Sequence, residues 1–135
     1  MTYVFVYGTL KIGKGNHGVL GNNKIFLGEA ITSSKGFTMF GGGFPYVSDM
    51  DFDNPGHTGS IIGELYEIED RATLENIDRL ESVPALFVKR EVDVVTLDKL
   101  EYTAIIYVAS KGSNERLKTR MPMKPNGRGR FLEWQ

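Results

Sequence analysis

The sequence contains no cysteine, only two histidines and one tryptophan, and no apolar run long enough to span a membrane. Without cysteine the chain can form no disulfide, no thiolate metal site and no cysteine nucleophile. The two histidines, His17 and His57, stand far apart in polar stretches, so their spacing does not indicate a metal site. No basic region precedes the short apolar stretch at the N-terminus. We therefore expect a cytoplasmic protein with no membrane partner.

Composition indicates one globular domain. The chain has 135 residues, of which 41% are hydrophobic and 24% charged, and its net charge of −1 predicts no nucleic-acid partner. Residues 110–135 hold seven basic and two acidic side chains, whereas the rest holds nine basic and 15 acidic ones. This basic C-terminal tail shows no clear periodicity. We expect it to pack only partly on the acidic body, or across a pocket rim, beside a domain formed by residues 1–109.

Apolar patterning predicts a mainly β fold. Strands are expected at residues 2–7, 24–32, 37–40, 60–68, 87–97 and 100–109. Asp98 and Lys99 form a hairpin turn, Gly63 is a candidate bulge, and the glycine-rich residues 41–46 form a loop. One helix is predicted from Arg71 to about Glu81, with Asp70 as its N-cap. The expected fold class is α+β, mainly antiparallel: a small closed or half-closed β-barrel with its helix beside the mouth.

The first strand ends abruptly in a glycine turn. Gly8 allows a ligand to approach the backbone closely, and the N–H groups of Gly8, Thr9 and Leu10 could converge on an anion. An ordinary turn remains an equally good reading. The stretch also comes close to a nucleotide-binding P-loop, because Gly13-Lys14 follows Gly8 after four residues. A P-loop would then need Ser or Thr, and the chain has Gly15.

The predicted helix carries an acid where an apolar residue is expected. At about 100° per residue, Glu81 falls between the directions of Leu74 and Ile77, inside the apolar stripe that Leu80 completes. Asp78 precedes Glu81 by three residues, so the two acids are neighbours. Burial and a nearby like charge would both raise the pKa of a carboxyl toward neutral, where a general acid/base works best.

Other interpretations of Glu81 stay open. The helix could fray before Pro84, which would leave Glu81 in solvent, or Glu81 could pair with Arg90 or Lys89. Among the remaining candidates, Tyr107 lies in an apolar strand and is expected in the core, where its hydroxyl would need one partner.

Two blocks of the chain resemble a known enzyme family. Residues 3–11 (YVFVYGTLK), followed by Gly13 and Asn16-His17, and residues 77–87 (IDRLESVPALF), followed by Arg90, are similar to the γ-glutamylcyclotransferase-like superfamily. The resemblance covers residues 3–109 and is strongest to the γ-glutamylamine cyclotransferase branch. Two matched blocks in the right order are far more specific than one. Phe87 departs from the family pattern, which often has Tyr there.

The resemblance implies a small barrel whose pocket is floored by Tyr7, Gly8, Thr9 and Leu10, with Glu81 as the catalytic acid/base. Asp78, Tyr107 and Arg90 are candidates for supporting residues. The implied substrate is a small molecule with a γ-glutamyl group, which is cyclised to 5-oxoproline with release of an amine, without metal or cofactor. Two rival classes stay open: a binding module of the same fold without catalysis, and an interaction domain that acts through the basic tail.

Overall fold

A computed structural model describes residues 2–41, 44–50, 56–127 and 130–134. Its strands are β1 Thr2–Val6, β2 Lys24–Thr32, β3 Thr38–Phe40, β4 Tyr46–Ser48, β5 Ser60–Ile68, β6 Phe87–Thr96, β7 Glu101–Ala109 and β8 Phe131–Leu132. Its helices are α1 Arg71–Leu80 and α2 Lys111–Leu117, with a 3₁₀ turn at His17–Leu20. The strands predicted from patterning and the helix capped by Asp70, whose side chain accepts a hydrogen bond from the Ala72 N–H, are therefore confirmed.

Five strands close into a barrel. The order is β1-β7-β6-β2-β5, and β5 pairs again with β1 to complete the circle. β1 and β7 run parallel, while the other four neighbouring pairs are antiparallel. β3 and β4 form a separate antiparallel pair. The predicted fold class, an α+β and mainly antiparallel barrel with flanking helices, is confirmed.

The first strand is buried on both faces, which explains its unbroken apolar run. Phe5 belongs to the cluster inside the barrel. Val4 and Val6 belong to a second cluster, which also contains Ile77 of α1. The helix therefore covers the outer face of the barrel beside β1, and its C-terminal end meets the loop that follows that strand. Leu80, predicted for the same apolar stripe, is 37% exposed, so Ile77 is the main anchor.

The predicted bulge at Gly63 is wrong, because the register of β2 and β5 shifts between Phe26 and Gly28 instead. Gly63 serves a different purpose. A Cβ atom there would lie 2.3 Å from the Val6 carbonyl oxygen and 2.8 Å from Cζ of Phe5. Only glycine allows β1 and β5 to approach this closely.

The C-terminal tail contains short regular elements although its sequence shows no clear periodicity. Lys111–Leu117 forms α2, capped by Ser110, whose side chain accepts a hydrogen bond from the Ser113 N–H. Phe131–Leu132 pairs in parallel with the start of β5. Leu117 and Leu132 are 2% and 1% exposed. The patterning missed these elements because each is too short to show periodicity.

The loop prediction for residues 41–46 is wrong at its end, since Tyr46 begins β4. Gly42 and Gly43 of that predicted loop, and residues 128, 129 and 135 of the predicted tail, lie outside the described residues.

Candidate active site

A cleft opens where β1 ends and α1 ends. It contains about 370 Å³ of empty space, part of which is open solvent. Its polar lining comes from the segment Tyr7–Leu10, from Glu81 and from Tyr107, and its apolar wall includes Phe44, Pro45 and Phe87. The structure thus brings together the predicted loop and the predicted acid, which are more than 70 residues apart in sequence.

The loop after β1 lines the cleft with Gly8, Thr9 and Leu10, which could turn their backbone N–H groups toward a ligand. Those of Gly8, Thr9 and Leu10 donate no hydrogen bond to any described residue. The loop is held by other atoms: the Lys11 N–H donates to the Gly8 carbonyl oxygen at 3.0 Å, and the Asn16 N–H donates to that of Thr9 at 2.9 Å. Three donors without a partner among the described residues, on a braced backbone, form a site suited to an anionic oxygen.

Glycine is needed at position 8 because the opposite wall of the cleft leaves no room for a side chain. A Cβ atom at this position would lie 2.8 Å from Cγ of Pro45. The Thr9 hydroxyl accepts a hydrogen bond from the Asn16 side-chain amide at 3.0 Å. This contact braces the loop and leaves the hydroxyl oriented by Asn16.

Glu81 is the C-cap of α1, and its N–H donates to the Ile77 carbonyl oxygen at 2.9 Å. Its side chain is partly buried in the cleft wall. Burial raises the pKa of the Glu81 carboxyl from its usual 4.5 to about 7. In the described part of the chain, neither a hydrogen bond nor an ion pair holds this carboxylate. A partly buried carboxyl with a near-neutral pKa can both accept and return a proton at physiological pH.

Two tyrosines form a fixed wall beside Glu81. The Tyr7 hydroxyl donates to the Tyr107 carbonyl oxygen at 2.6 Å, and the Tyr107 hydroxyl donates to Asp78 Oδ1 at 2.6 Å. Burial, followed by the negative charge of Glu81, raises the pKa of Tyr7. Burial is also the main cause that raises the pKa of Tyr107, with further contributions from Asp78 and Glu81. Both phenols therefore stay neutral and hold their geometry.

Asp78 reaches the cleft only through Tyr107. Its other oxygen, Oδ2, accepts from Lys89 Nζ at 3.0 Å. Arg90 lies elsewhere: its Nε is 3.5 Å from Oδ2 of Asp49, and it does not line the cleft. The interpretations in which Glu81 pairs with Lys89 or Arg90 are therefore wrong, because both cations have other partners.

Lys14, the lysine of the stretch that resembles a P-loop, contacts the C-terminal segment. Lys14 Nζ lies 5.0 Å from the ring centroid of Trp134. Lys11, 9% exposed, donates to the Trp134 carbonyl oxygen at 2.7 Å. The segment that follows β8 thus contacts the loop that contains Gly8, Thr9 and Leu10 and helps to fix its position. Nothing in the sequence pattern signals this contact, nor the wall formed by Phe44, Pro45 and Phe87.

The described residues contain no group of three or more His, Asp or Glu side chains close enough to hold a metal ion. The cleft instead offers backbone donors for an anion, one carboxyl able to exchange a proton near neutral pH, and an apolar wall. This combination suits a reaction in which a proton moves between two nitrogens while a carbonyl oxygen gains negative charge.

Comparison with known proteins agrees with this geometry. Residues 4–126 match the family described as gamma-glutamyl cyclotransferase, AIG2-like, and the chain belongs to this family. It is 34% identical over 107 residues to a Methanocaldococcus jannaschii protein named "Putative gamma-glutamylcyclotransferase", a match that covers 79% of this chain and 83% of the relative. It is also 34% identical over 104 residues to human gamma-glutamylaminecyclotransferase, covering 73% of this chain and 65% of that protein.

The fold is shared with solved structures. The crystal structure of a mouse AIG2-like protein superposes with a TM-score of 0.71 at 25% identity, covering 96% of this chain and 87% of that one. A Pyrococcus horikoshii protein superposes with a TM-score of 0.58 at 27% identity, covering 82% and 80%. The chain spans slightly less than two thirds of the human relative. In the described residues no helix has the length and apolarity needed to cross a bilayer.

Proposed function

We propose that this protein cyclises the γ-glutamyl group of a small γ-glutamyl amine or γ-glutamyl amino acid to 5-oxoproline and releases the amine. The observation that carries the proposal is the Glu81 carboxyl, whose pKa burial raises to about 7. It shares its cleft with Gly8, Thr9 and Leu10, whose N–H groups have no partner in the described part of the chain. The family match and the two gamma-glutamylcyclotransferase-type relatives support the same reaction.

The reaction is an intramolecular aminolysis. The α-amine of the substrate attacks its own γ-carbonyl carbon, which forms a five-membered ring, and the bond from that carbon to the leaving nitrogen breaks. Nucleophile and electrophile belong to one molecule, so the main task of the cleft is to fold the substrate into the attacking geometry. The apolar wall of Phe44 and Phe87 suits this task because it confines the chain between the two reacting ends.

Glu81 would move the proton. As a carboxylate it accepts a proton from the α-ammonium group, which frees the nucleophile, and as a carboxylic acid it donates a proton to the departing nitrogen. A pKa near 7 suits both halves of this cycle, because neither protonation state is strongly disfavoured. The proposed proton transfer requires neither a metal nor a cofactor.

The N–H groups of Gly8, Thr9 and Leu10 would bind negative charge on the substrate. Either the α-carboxylate or the developing oxyanion on the γ-carbonyl is a suitable acceptor. Tyr7 and Tyr107 would act as positioning residues, since each phenol already donates its proton within the protein. Asp78 would support the site through Tyr107 and not by direct contact.

The decisive experiment incubates the purified protein with γ-glutamyl-lysine, γ-glutamyl-ethylamine, γ-glutamyl-alanine and glutathione, and measures 5-oxoproline. Turnover of at least one compound is expected. Glu81→Gln should abolish it, while Glu75→Gln, which removes an exposed carboxylate of the same helix, should not. Binding of these compounds by the wild-type protein without any 5-oxoproline would identify a binding module and overturn the proposed reaction.

A further inference from the structure

Two peptide planes of the loop after β1 are held by hydrogen bonds to their carbonyl oxygens. The Gly8 carbonyl oxygen accepts from the Lys11 N–H at 3.0 Å, and the Thr9 carbonyl oxygen accepts from the Asn16 N–H at 2.9 Å. Both peptide bonds are trans, so each carbonyl oxygen and the N–H of the next residue point in opposite directions. The two hydrogen bonds therefore also fix the directions of the Thr9 and Leu10 N–H groups, which have no partner among the described residues.

His17 holds the next peptide plane of the same loop. Its Nδ1 lies 2.8 Å from the Leu10 carbonyl oxygen. A carbonyl oxygen can only accept a hydrogen bond, so Nδ1 has to carry a proton, in the neutral ring as well as in the charged one. The Leu10 carbonyl shares its peptide plane with the Lys11 N–H, which is the donor to Gly8. Through these two peptide planes, His17 fixes the direction of the Thr9 N–H.

The position of His17 is itself fixed by packing. The residue begins the 3₁₀ turn that ends at Leu20, and Leu20, which is 1% exposed, belongs to the same apolar cluster as Ile77 of α1. The His17 ring also lies beside the ring of the buried Tyr66, with centroids 5.9 Å apart. Since Glu81 is the C-cap of α1, one helix supports both the proposed acid/base and the turn that holds the loop.

We propose that His17 is a positioning residue for the N–H groups that bind negative charge in the cleft. The proposal rests on the proposed function, because it concerns the donors assigned there to the γ-glutamyl substrate. His17 does not line the cleft, so it acts on these donors only through the Leu10 carbonyl. Without its hydrogen bond, the peptide plane between Leu10 and Lys11 is free to turn, and the Thr9 N–H loses its fixed direction. Donors that are fixed in advance stabilise developing charge best.

Two substitutions separate the hydrogen bond from the ring packing. His17→Phe keeps a flat ring beside Tyr66 and removes the donor. His17→Asn removes the ring and keeps a donor, because the side-chain nitrogen of asparagine, like Nδ1 of histidine, is bonded to Cγ. With the γ-glutamyl conjugate that the wild-type protein turns over fastest, we expect His17→Phe to lower kcat/KM at least tenfold. His17→Asn should stay within threefold of the wild type. A role in packing alone predicts the opposite order.

Circular dichroism and the Tm show which variants are folded, and kcat/KM is compared among those. A His17→Phe protein with the kcat/KM of the wild type, or a His17→Asn protein as impaired as His17→Phe, would overturn the proposal.

The ¹⁵N NMR spectrum of the imidazole rings tests the same hydrogen bond in the wild-type protein, without any substitution at His17. At pH 8 we expect Nδ1 of His17 to carry the proton, because it donates to the Leu10 carbonyl oxygen. The chain has only two histidines, so the signals that remain in His57→Phe belong to His17. A His17 ring that is protonated at Nε2 alone would also overturn the proposal, and this spectrum decides if neither variant at position 17 folds.

Amide relaxation separates this proposal from the proposed function. If no conjugate yields 5-oxoproline, the cyclisation proposal fails, and the ¹⁵N heteronuclear NOE of the Thr9 and Lys11 amides then decides on His17. The NOE should be lower in His17→Phe than in the wild-type protein, because the two peptide planes become mobile, and it should be close to the wild-type value in His17→Asn. Equal values in all three proteins would refute the positioning role.

Discussion

Replacement of Glu81 by Gln should change stability in a way that depends on pH. Burial raises the pKa of the Glu81 carboxyl from 4.5 to about 7, so the folded state binds this proton more tightly than the unfolded state does. Ionisation of Glu81 therefore destabilises the folded state. The effect is negligible below pH 4.5 and grows as the pH rises to 7. At 1.36 kcal/mol per pH unit, the full effect is about 3 kcal/mol.

Glutamine has nearly the same shape and carries no charge, so it removes this penalty. We expect Glu81→Gln and the wild-type protein to have similar free energies of unfolding at pH 4. At pH 8 the variant should be more stable by up to about 3 kcal/mol. The other titrating groups are common to both proteins and cancel in the difference.

Urea unfolding at several pH values between 4 and 8 measures this difference. Glu75→Gln is the matched control, because Glu75 lies on the exposed side of α1 with a side chain that is 64% exposed. It shows how the loss of an exposed carboxylate from the same helix affects stability at each pH. A Glu81→Gln difference that does not change with pH, or that favours the wild-type protein at pH 8, would refute the argument that burial raises this pKa.

Three further predictions follow from the same geometry. If ionised Glu81 is the base, kcat/KM for 5-oxoproline formation should rise with pH and level off above about 7, and a rate independent of pH between 5 and 8 would contradict this role. Asp78→Asn should lower kcat less than tenfold. It should also lower the free energy of unfolding in urea by roughly 1 kcal/mol, because it weakens the contacts to Tyr107 and Lys89. A loss of activity as large as that of Glu81→Gln would show that Asp78 acts directly. Gly63→Ala should lower stability by roughly 1–3 kcal/mol, because its Cβ would lie 2.3 Å from a β1 carbonyl oxygen, whereas Gly15→Ala, with open space around it, should not lower the Tm by steric crowding.

A deletion after Ala109 tests the role of the C-terminal segment. The sequence led us to expect a folded domain without it, but the structure buries Leu117 and Leu132 in the two clusters that the deletion would open. Each buried leucine contributes roughly 2 kcal/mol, and domains of this size have a total stability of roughly 5–15 kcal/mol. We therefore expect the shortened chain to lose cooperative thermal unfolding. A sharp transition at the wild-type Tm would show that residues 110–135 are dispensable for the fold.

The sequence by itself determined the elements with a strong local signal. β1, β2, β5, β6, β7 and α1 are long enough for apolar periodicity to appear, and Asp70 caps α1 as expected. The turn at Gly8 and the position of Glu81 inside an apolar helix stripe were also local features. They indicated a candidate acid/base and a candidate anion-binding loop, and the family resemblance implied that the two share a pocket.

Only the tertiary structure decided what surrounds these residues. Segments distant in sequence bury Glu81 and so raise its pKa. Distant segments also meet in the contacts that link Tyr107 through Asp78 to Lys89, and in the hydrogen bond from Lys11 to the Trp134 carbonyl oxygen. α2 and β8 have no periodic signal because they are seven and two residues long. They become ordered because the barrel offers apolar surface on which Leu117 and Leu132 are buried. Burial depends on the whole chain, and it is burial that converts a glutamate at a helix end into a group that titrates near neutral pH.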